Sequence, residues 1–307
     1  MSNNNPSFHL TGLIAAPFTP FDSKGRLNLG VIPAMIEHYK ATGVSGAFVC
    51  GSTGEGVSMS VEERRAVSEA WREATKGTGI KLIIHVGHNS MPDCCALAAH
   101  AEKIGADAIS VSPPTFFRPQ GIEGLVSWCK QAADAAPGTP FYYYHLSNSG
   151  NYKMAEYLPL AAKRIATFGG IKFTNENFMD FGLTMAAAKD RYDILFGCDE
   201  ILLSALVMGA KGAVGSTYNY AGALYNRIIT AFNAGDMKTA AVLQTESMRF
   251  VRIFFKHGGM SANKAIPGLL GMDCGPARPP MTPLTGKQIA ALKADLRQSG
   301  FFKLIRP

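Results

Sequence analysis

Residues 168–177 read FGGIKFTNEN, an apolar, β-like run with one lysine at its centre. Whether Lys172 meets water or is closed off from it depends on the sheet this run joins. Seven other stretches share its character: GLIAAPF (12–18), GAFVC (46–50), KLIIHV (81–86), DAISV (107–111), PFYYY (140–144), DILF (193–196) and GAVG (212–215). Helical faces lie between them, such as Ile32, Met35, Ile36, Tyr39 and Leu125, Trp128, Cys129, Ala132, with apolar residues at i, i+3, i+4 and i+7. Gly43, Gly77, Gly105 and Gly209 fall where those helices should stop.

Strands alternating with helices predict repeated βα units, and eight of them predict an α/β chain closed into a (β/α)₈ TIM barrel. An open doubly wound sheet would carry a G-x-G-x-x-G turn at its first βα junction, and none is present there. Beyond the eighth run the pattern is purely helical, with Leu243, Ser247, Phe250 and Phe254 on one face and a break at GPARPPMTP (275–283). The expected organisation is a barrel over 1–225 and C-terminal helices over 226–307 packed on it in the same domain.

Bulk properties narrow the function. With 307 residues, 47% of them hydrophobic and 17% charged, the chain can bury one large core. MSNNNPSFHL has no basic segment leading into an apolar one, so no signal peptide is expected. The longest apolar stretch, ILLSALVMGA (201–210), is far short of the ~20 residues a membrane span needs. The six cysteines, at 50, 94, 95, 129, 198 and 274, make no C-x-x-C pair and read as the reduced thiols of a cytoplasmic protein. The formal charge of +7 is scattered and locally balanced, as in EERR (62–65), so no nucleic-acid partner is expected. A mild positive field suits a small anionic substrate equally well.

In a barrel, chemistry collects at the C-terminal ends of the strands. Alternation along 169–173 puts Ile171 and Phe173 on the helix side and points Gly170, Lys172 and Thr174 inward. Most lysines are solvated, but an inward one is closed off from water. Complete burial disfavours the ammonium form of a lysine by as much as ~3–5 pKa units, and a neutral amine is the form that attacks a ketone. Tyr144 is the last inward residue of the neighbouring run. A phenol, with an ordinary pKa of about 10, needs a hydrogen-bonded relay to move protons at neutral pH. GSTGEG (51–56) turns tightly and offers N–H groups beside two hydroxyls, which suits a carboxylate or a phosphate and is also ordinary turn chemistry. FGCDE leaves Gly197, Asp199 and Glu200 at the mouth, and GST leaves Ser216 there. The two acids could serve a helix dipole or a polyhydroxylated ligand. His85 and His88 form an H-x-x-H without a third ligand at a recognisable spacing, which favours a structural role over a metal.

Taken in order, GSTGEG, FYYYH, GIKFT, LFGCDE and GAVGSTYNY resemble the N-acetylneuraminate lyase branch of the dihydrodipicolinate synthase superfamily, over about residues 10–300. The animal-type lyases are the nearest in pattern, and FGCDEILLSALVMGAKGAVGSTYNY is the stretch that carries most of the likeness. The resemblance implies a (β/α)₈ class I aldolase, usually a homotetramer, that needs no metal or organic cofactor. It implies that Lys172 forms a Schiff base with the 2-oxo acid and that Tyr144 shuttles a proton at the C4 hydroxyl. Ser52 and Thr53 would hold the pyruvate carboxylate. Thr174, Gly197, Asp199, Glu200 and Ser216 would bind the hydroxylated tail. The reaction implied is reversible cleavage of N-acetylneuraminate to N-acetyl-D-mannosamine and pyruvate.

Three departures qualify the pattern. LSNSGNY (146–152) replaces the lyases' usual Ile-Pro-Ala-Leu-Thr-Gly beside the sugar end. The same loop lacks the arginine with which the synthases bind a second carboxylate. In PPTFFRP (113–119), Phe116 and Phe117 stand where some relatives place a tyrosine that enters a neighbour's relay, as they do in animal lyases. The competing readings are a pyruvate aldolase for another 2-keto-3-deoxy sugar acid and a non-catalytic sugar-acid binding protein on the same barrel.

Overall fold

Eight parallel strands close on themselves in sequence order: β1 (Gly12–Ala15), β2 (Val44–Val49), β3 (Lys81–His85), β4 (Ala108–Val111), β5 (Phe141–Leu146), β6 (Phe168–Thr174), β7 (Asp193–Phe196) and β8 (Gly212–Gly215). This is the computed structural model of the chain, and it describes residues 8–306. The first seven positions, on which most of the N-terminal reading rests, lie outside the described residues. Strand boundaries follow local chemistry. β1 stops short of Pro17, which cannot donate to a ladder. β5 runs two residues further than the sequence suggests, through His145 and Leu146.

The outer ring is α1 (Ile32–Thr42), α2 (Val61–Thr75), α3 (Met91–Lys103), α4 (Gly121–Asp134), α5 (Met154–Arg164), α6 (Phe178–Ala188), α7 (Leu202–Val207) and α8 (Tyr218–Asn233). Gly43 ends α1 at φ 71°, the left-handed turn only glycine adopts freely. Ser60 and Glu63 start α2 with a reciprocal capping box: Ser60 Oγ accepts from the Glu63 N–H at 3.2 Å, and the Glu63 carboxylate accepts from the Ser60 N–H at 3.0 Å. α1 buries Ile32, Met35, Ile36 and Tyr39. In α4, Leu125, Cys129 and Ala132 are buried, while Trp128 lies half-exposed at the edge of that face.

Alternation along the strands sorts the core into two layers. Ile171 and Phe173 join the layer between sheet and helices, where Phe173 meets Phe181 at 5.3 Å between ring centroids. A smaller set fills the barrel itself: Ile14, Phe48, Ile83, Ala108, Tyr142, Tyr144, Leu195 and Val214. Between β5 and β6 the register slips beside Gly169 and Gly170. A Cβ on Gly169 would stand 2.9 Å from the Tyr142 ring, and one on Gly170 would stand 2.0 Å from the Asp193 carbonyl oxygen. Gly170, expected to face the interior, therefore abuts the backbone of β7. The slip keeps Lys172 level with Tyr144, its register partner.

α8 spans position 226 and packs on α1 and β1 as the eighth barrel helix. Beyond it come α9 (Met237–Lys256), α10 (Met260–Ala265), α11 (Gly286–Gln298) and α12 (Phe301–Leu304). On α9, Ser247, Phe250 and Phe254 are buried and Leu243 is half-exposed.

Candidate active site

Lys172 sits two residues before the C-terminal end of β6, 4% exposed, with the aromatic walls of two other strands around it. Its Nζ lies 4.0 Å from the centre of the Tyr144 ring on β5 and 4.1 Å from that of Phe48 on β2. Phe48 and Tyr144 meet edge to face at 5.4 Å, and His85 of β3 packs against both. Strand topology makes this box: four inward side chains from four strands converge at one height, and no acidic side chain forms a salt bridge with Lys172 among the described residues. Burial, with Arg64 and Lys172 adding like charge, holds His85 far below the ordinary histidine range, so its imidazole is neutral. His88, its partner in the H-x-x-H, turns away to Asp93 at 3.6 Å.

The Tyr144 hydroxyl is 3.5 Å from Ser52 Oγ, which stands exposed at the mouth. Ser52 belongs to a loop that folds on itself: Gly56 N–H donates to the Gly51 carbonyl at 3.1 Å, and Thr19 Oγ1 donates to the Gly54 carbonyl at 2.6 Å. A Cβ at Gly56 would stand 2.0 Å from the Cys50 carbonyl oxygen, so glycine is what lets the loop close. Among the described residues, the N–H groups of Ser52 and Thr53 reach no acceptor. Successive free N–H groups of this kind cradle an anion. Sequence, loop and strand thus bring Lys172, Tyr144, Ser52 and Thr53 to one end of the mouth.

Thr174, Gly197, Asp199, Glu200 and Ser216 lie at the ends of β6, β7 and β8. Thr174 Oγ1 is buried without a protein partner, directly over Gly197, where a Cβ would come within 1.9 Å of it. Asp199 is 4% exposed, and its Oδ2 accepts from the Thr217 N–H at 2.8 Å and the Thr217 hydroxyl at 2.6 Å. Burial, with the Glu200 charge beside it, pushes the Asp199 carboxyl up to about 6. Gly215 gives that carboxylate room, since a Cβ there would stand 1.8 Å from Oδ1. Glu200 is half-exposed beside it. Ser216 Oγ accepts from Asn263 Nδ2 of α10 at 3.0 Å.

Several contributors carry no sequence signal of their own. Phe48 reads as core, Thr217 as a helix start, and Asn263 lies in the appended helices. Glu55 stands inside GSTGEG, where nothing in the sequence sets it apart from the turn. Only the fold shows that its side chain pairs with the buried Lys264.

A closed parallel barrel with a lysine enclosed at the strand ends without an acidic partner, beside a tyrosine and a loop with free N–H groups, is the arrangement of a Schiff-base lyase of the aldolase type. The Dihydrodipicolinate synthetase family profile matches residues 9–299. The N-acetylneuraminate lyase of Mus musculus is 41% identical over 302 residues, covering 96% of this chain and 94% of that protein. That of Xenopus tropicalis is 43% identical over 277 residues, covering 89% and 90%. The solved structure of Proteus mirabilis N-acetylneuraminate lyase superposes with a TM-score of 0.92 at 42% identity, covering 95% of this chain and 99% of that one. The chain belongs to the dihydrodipicolinate synthetase family.

Proposed function

We propose that this protein is a class I aldolase that reversibly cleaves N-acetylneuraminate to N-acetyl-D-mannosamine and pyruvate. The observation that carries the reading is the enclosed Lys172 within 4.0 Å of the Tyr144 ring, in a chain 41% identical to a lyase of that name. The Lys172 amine adds to C2 of the open-chain 2-oxo acid, and loss of water gives an iminium. Ser52 and Thr53 hold the carboxylate that flanks C2. Tyr144, in a relay with Ser52, takes the proton of the C4 hydroxyl as the C3–C4 bond breaks. The bonding pair passes into the iminium, leaving an enamine on Lys172 and N-acetyl-D-mannosamine free. C3 then gains a proton, and water releases pyruvate from the lysine. An oriented donor in a closed site stabilises the developing charge better than bulk water. Thr174, Gly197, Asp199, Glu200 and Ser216 hold the hydroxylated tail.

No helix among the described residues is long and apolar enough to cross a membrane. All six cysteines are free, which supports a cytoplasmic location, and family resemblance supports a homotetramer. The LSNSGNY loop keeps a second reading in view, an aldolase for another 2-keto-3-deoxy sugar acid. One experiment separates the two: borohydride trapping during incubation with N-acetylneuraminate, then peptide mapping. A pyruvyl adduct on Lys172 supports the first reading. An adduct from pyruvate but not from N-acetylneuraminate moves the assignment to the second. No adduct from either overturns both.

A further inference from the structure

Two consecutive residues of α10 reach from the appended helices to the loops at the catalytic end of the barrel. Asn263 donates to Ser216 at 3.0 Å and accepts the Tyr220 hydroxyl at 2.7 Å. Lys264 turns the other way and donates to Glu55, inside the GSTGEG loop. Both side chains of that ion pair are 1% exposed. The second Glu55 oxygen accepts the Arg278 backbone N–H at 2.7 Å. The Arg278 guanidinium then ties Glu63 to the carbonyls of Gly25 and Ser58. Lys264 and Arg278 share the Phe21 ring, at 4.2 and 4.0 Å from its centre.

Burying two opposite charges adds little stability, because their desolvation offsets most of the attraction. Such a pair does fix where its two elements sit. The loop it holds has reason to need fixing: Cys50 and Glu55 take φ of 61° and 56°, a left-handed backbone that side chains disfavour. Glu55 lies two residues beyond Thr53, so the direction of the anion-receiving N–H groups follows from where Glu55 is held. Since Glu55 neutralises Lys264, the loop attracts a carboxylate with aimed N–H groups and not with a free ammonium.

We propose that Lys264, acting through Glu55, is a positioning residue that holds the GSTGEG loop in the shape that receives the substrate carboxylate. α10 is thereby a working part of the site, although Lys264 does not touch substrate. The proposal deepens the Schiff-base reading and rests on it.

The test compares reductive trapping of pyruvate with that of acetone, the same methyl ketone without its carboxylate, in the full-length protein. In Lys264→Met and Glu55→Gln the half-saturating pyruvate concentration should rise roughly tenfold or more, with the trapping rate at saturation kept. Acetone trapping should stay within about twofold of wild type, because it needs Lys172 but not the loop. A single variant leaves a lone buried charge and can fail to fold, so the paired Glu55→Gln/Lys264→Met, which leaves none, is measured alongside. A folded variant that binds pyruvate as wild type does overturns the proposal. Equal loss of pyruvate and acetone trapping also overturns it, since that is the mark of a merely structural role. Wild-type protein that traps neither ketone refutes the aldolase reading first and is thereby distinguished.

Discussion

Lys172 and Tyr144 meet inside the barrel because side chains alternate strictly along a strand, so register partners on β5 and β6 point the same way. Tyr144→Phe keeps the ring that packs on Lys172 and removes only the hydroxyl near Ser52. Turnover should fall by about 10²- to 10⁴-fold, the scale of lost acid–base catalysis, while pyruvate still traps on Lys172. Stopped turnover assays beside mass mapping check this, and unchanged turnover would remove Tyr144 from the mechanism. Asp199 brings a pH dependence that no sequence pattern announces, because its pKa is set by burial and by Glu200. Its carboxyl rises from 3.8 to about 6 on folding. Below about 6 it is protonated and loses the acceptor strength that its proposed contact with a substrate hydroxyl requires. KM for the sugar acid should therefore climb as pH falls through 6, and Asp199→Asn should flatten that climb. For stability the sign is opposite: the folded state holds this proton more tightly, so the contribution is full below 3.8 and is lost as pH rises through 6.

Among the elements, the strand ends carry the site and the glycines beside them make room for it. Gly197 was expected to bind the substrate tail, yet its most definite physical role is to leave space for Thr174. Gly197→Ala drives a Cβ to 1.9 Å from Thr174 Oγ1, so one of the two strand ends must shift. Overpacking of this kind costs about 1–3 kcal/mol. The variant should melt lower and show a raised KM for the sugar acid with pyruvate trapping intact. Thermal melts and the two assays together check it, and an unchanged KM would show that the β6–β7 mouth does not hold the tail. The 146–152 loop departs from the lyase pattern in sequence, and its backbone ties into the same mouth, where Ser147 N–H donates to the Thr174 carbonyl at 3.1 Å.

Across the whole molecule the two ends of the barrel do different work. The catalytic end leaves Thr174 Oγ1 and the Ser52 and Thr53 N–H groups without partners among the described residues, while at the opposite end Asp193 is fully paired. Asp193 there accepts the Tyr142 hydroxyl at 2.6 Å and the Leu10 N–H at 2.7 Å, and pairs with His9 at 2.8 Å. Asp193→Ala leaves buried donors unmet, which costs about 1–3 kcal/mol. Denaturant melts should show that loss while kcat/KM at 25 °C stays near wild type; a matching loss of activity in folded protein would tie this end to the chemistry.

By itself the sequence determined the eight βα units, the inward lysine and tyrosine, and the tight glycine turn of GSTGEG. Each follows from short-range rules: alternation along a strand, helical spacing, and the turn chemistry of glycine. Tertiary structure alone decided the rest, because the partners are far apart in the chain. Lys264 reaches Glu55 across 209 residues, Asn263 reaches Ser216 across 47, and Tyr142 reaches Asp193 across 51. No local pattern marks such pairs, since each residue is ordinary where it stands. They matter only when barrel closure and the packing of α10 exclude water from between them.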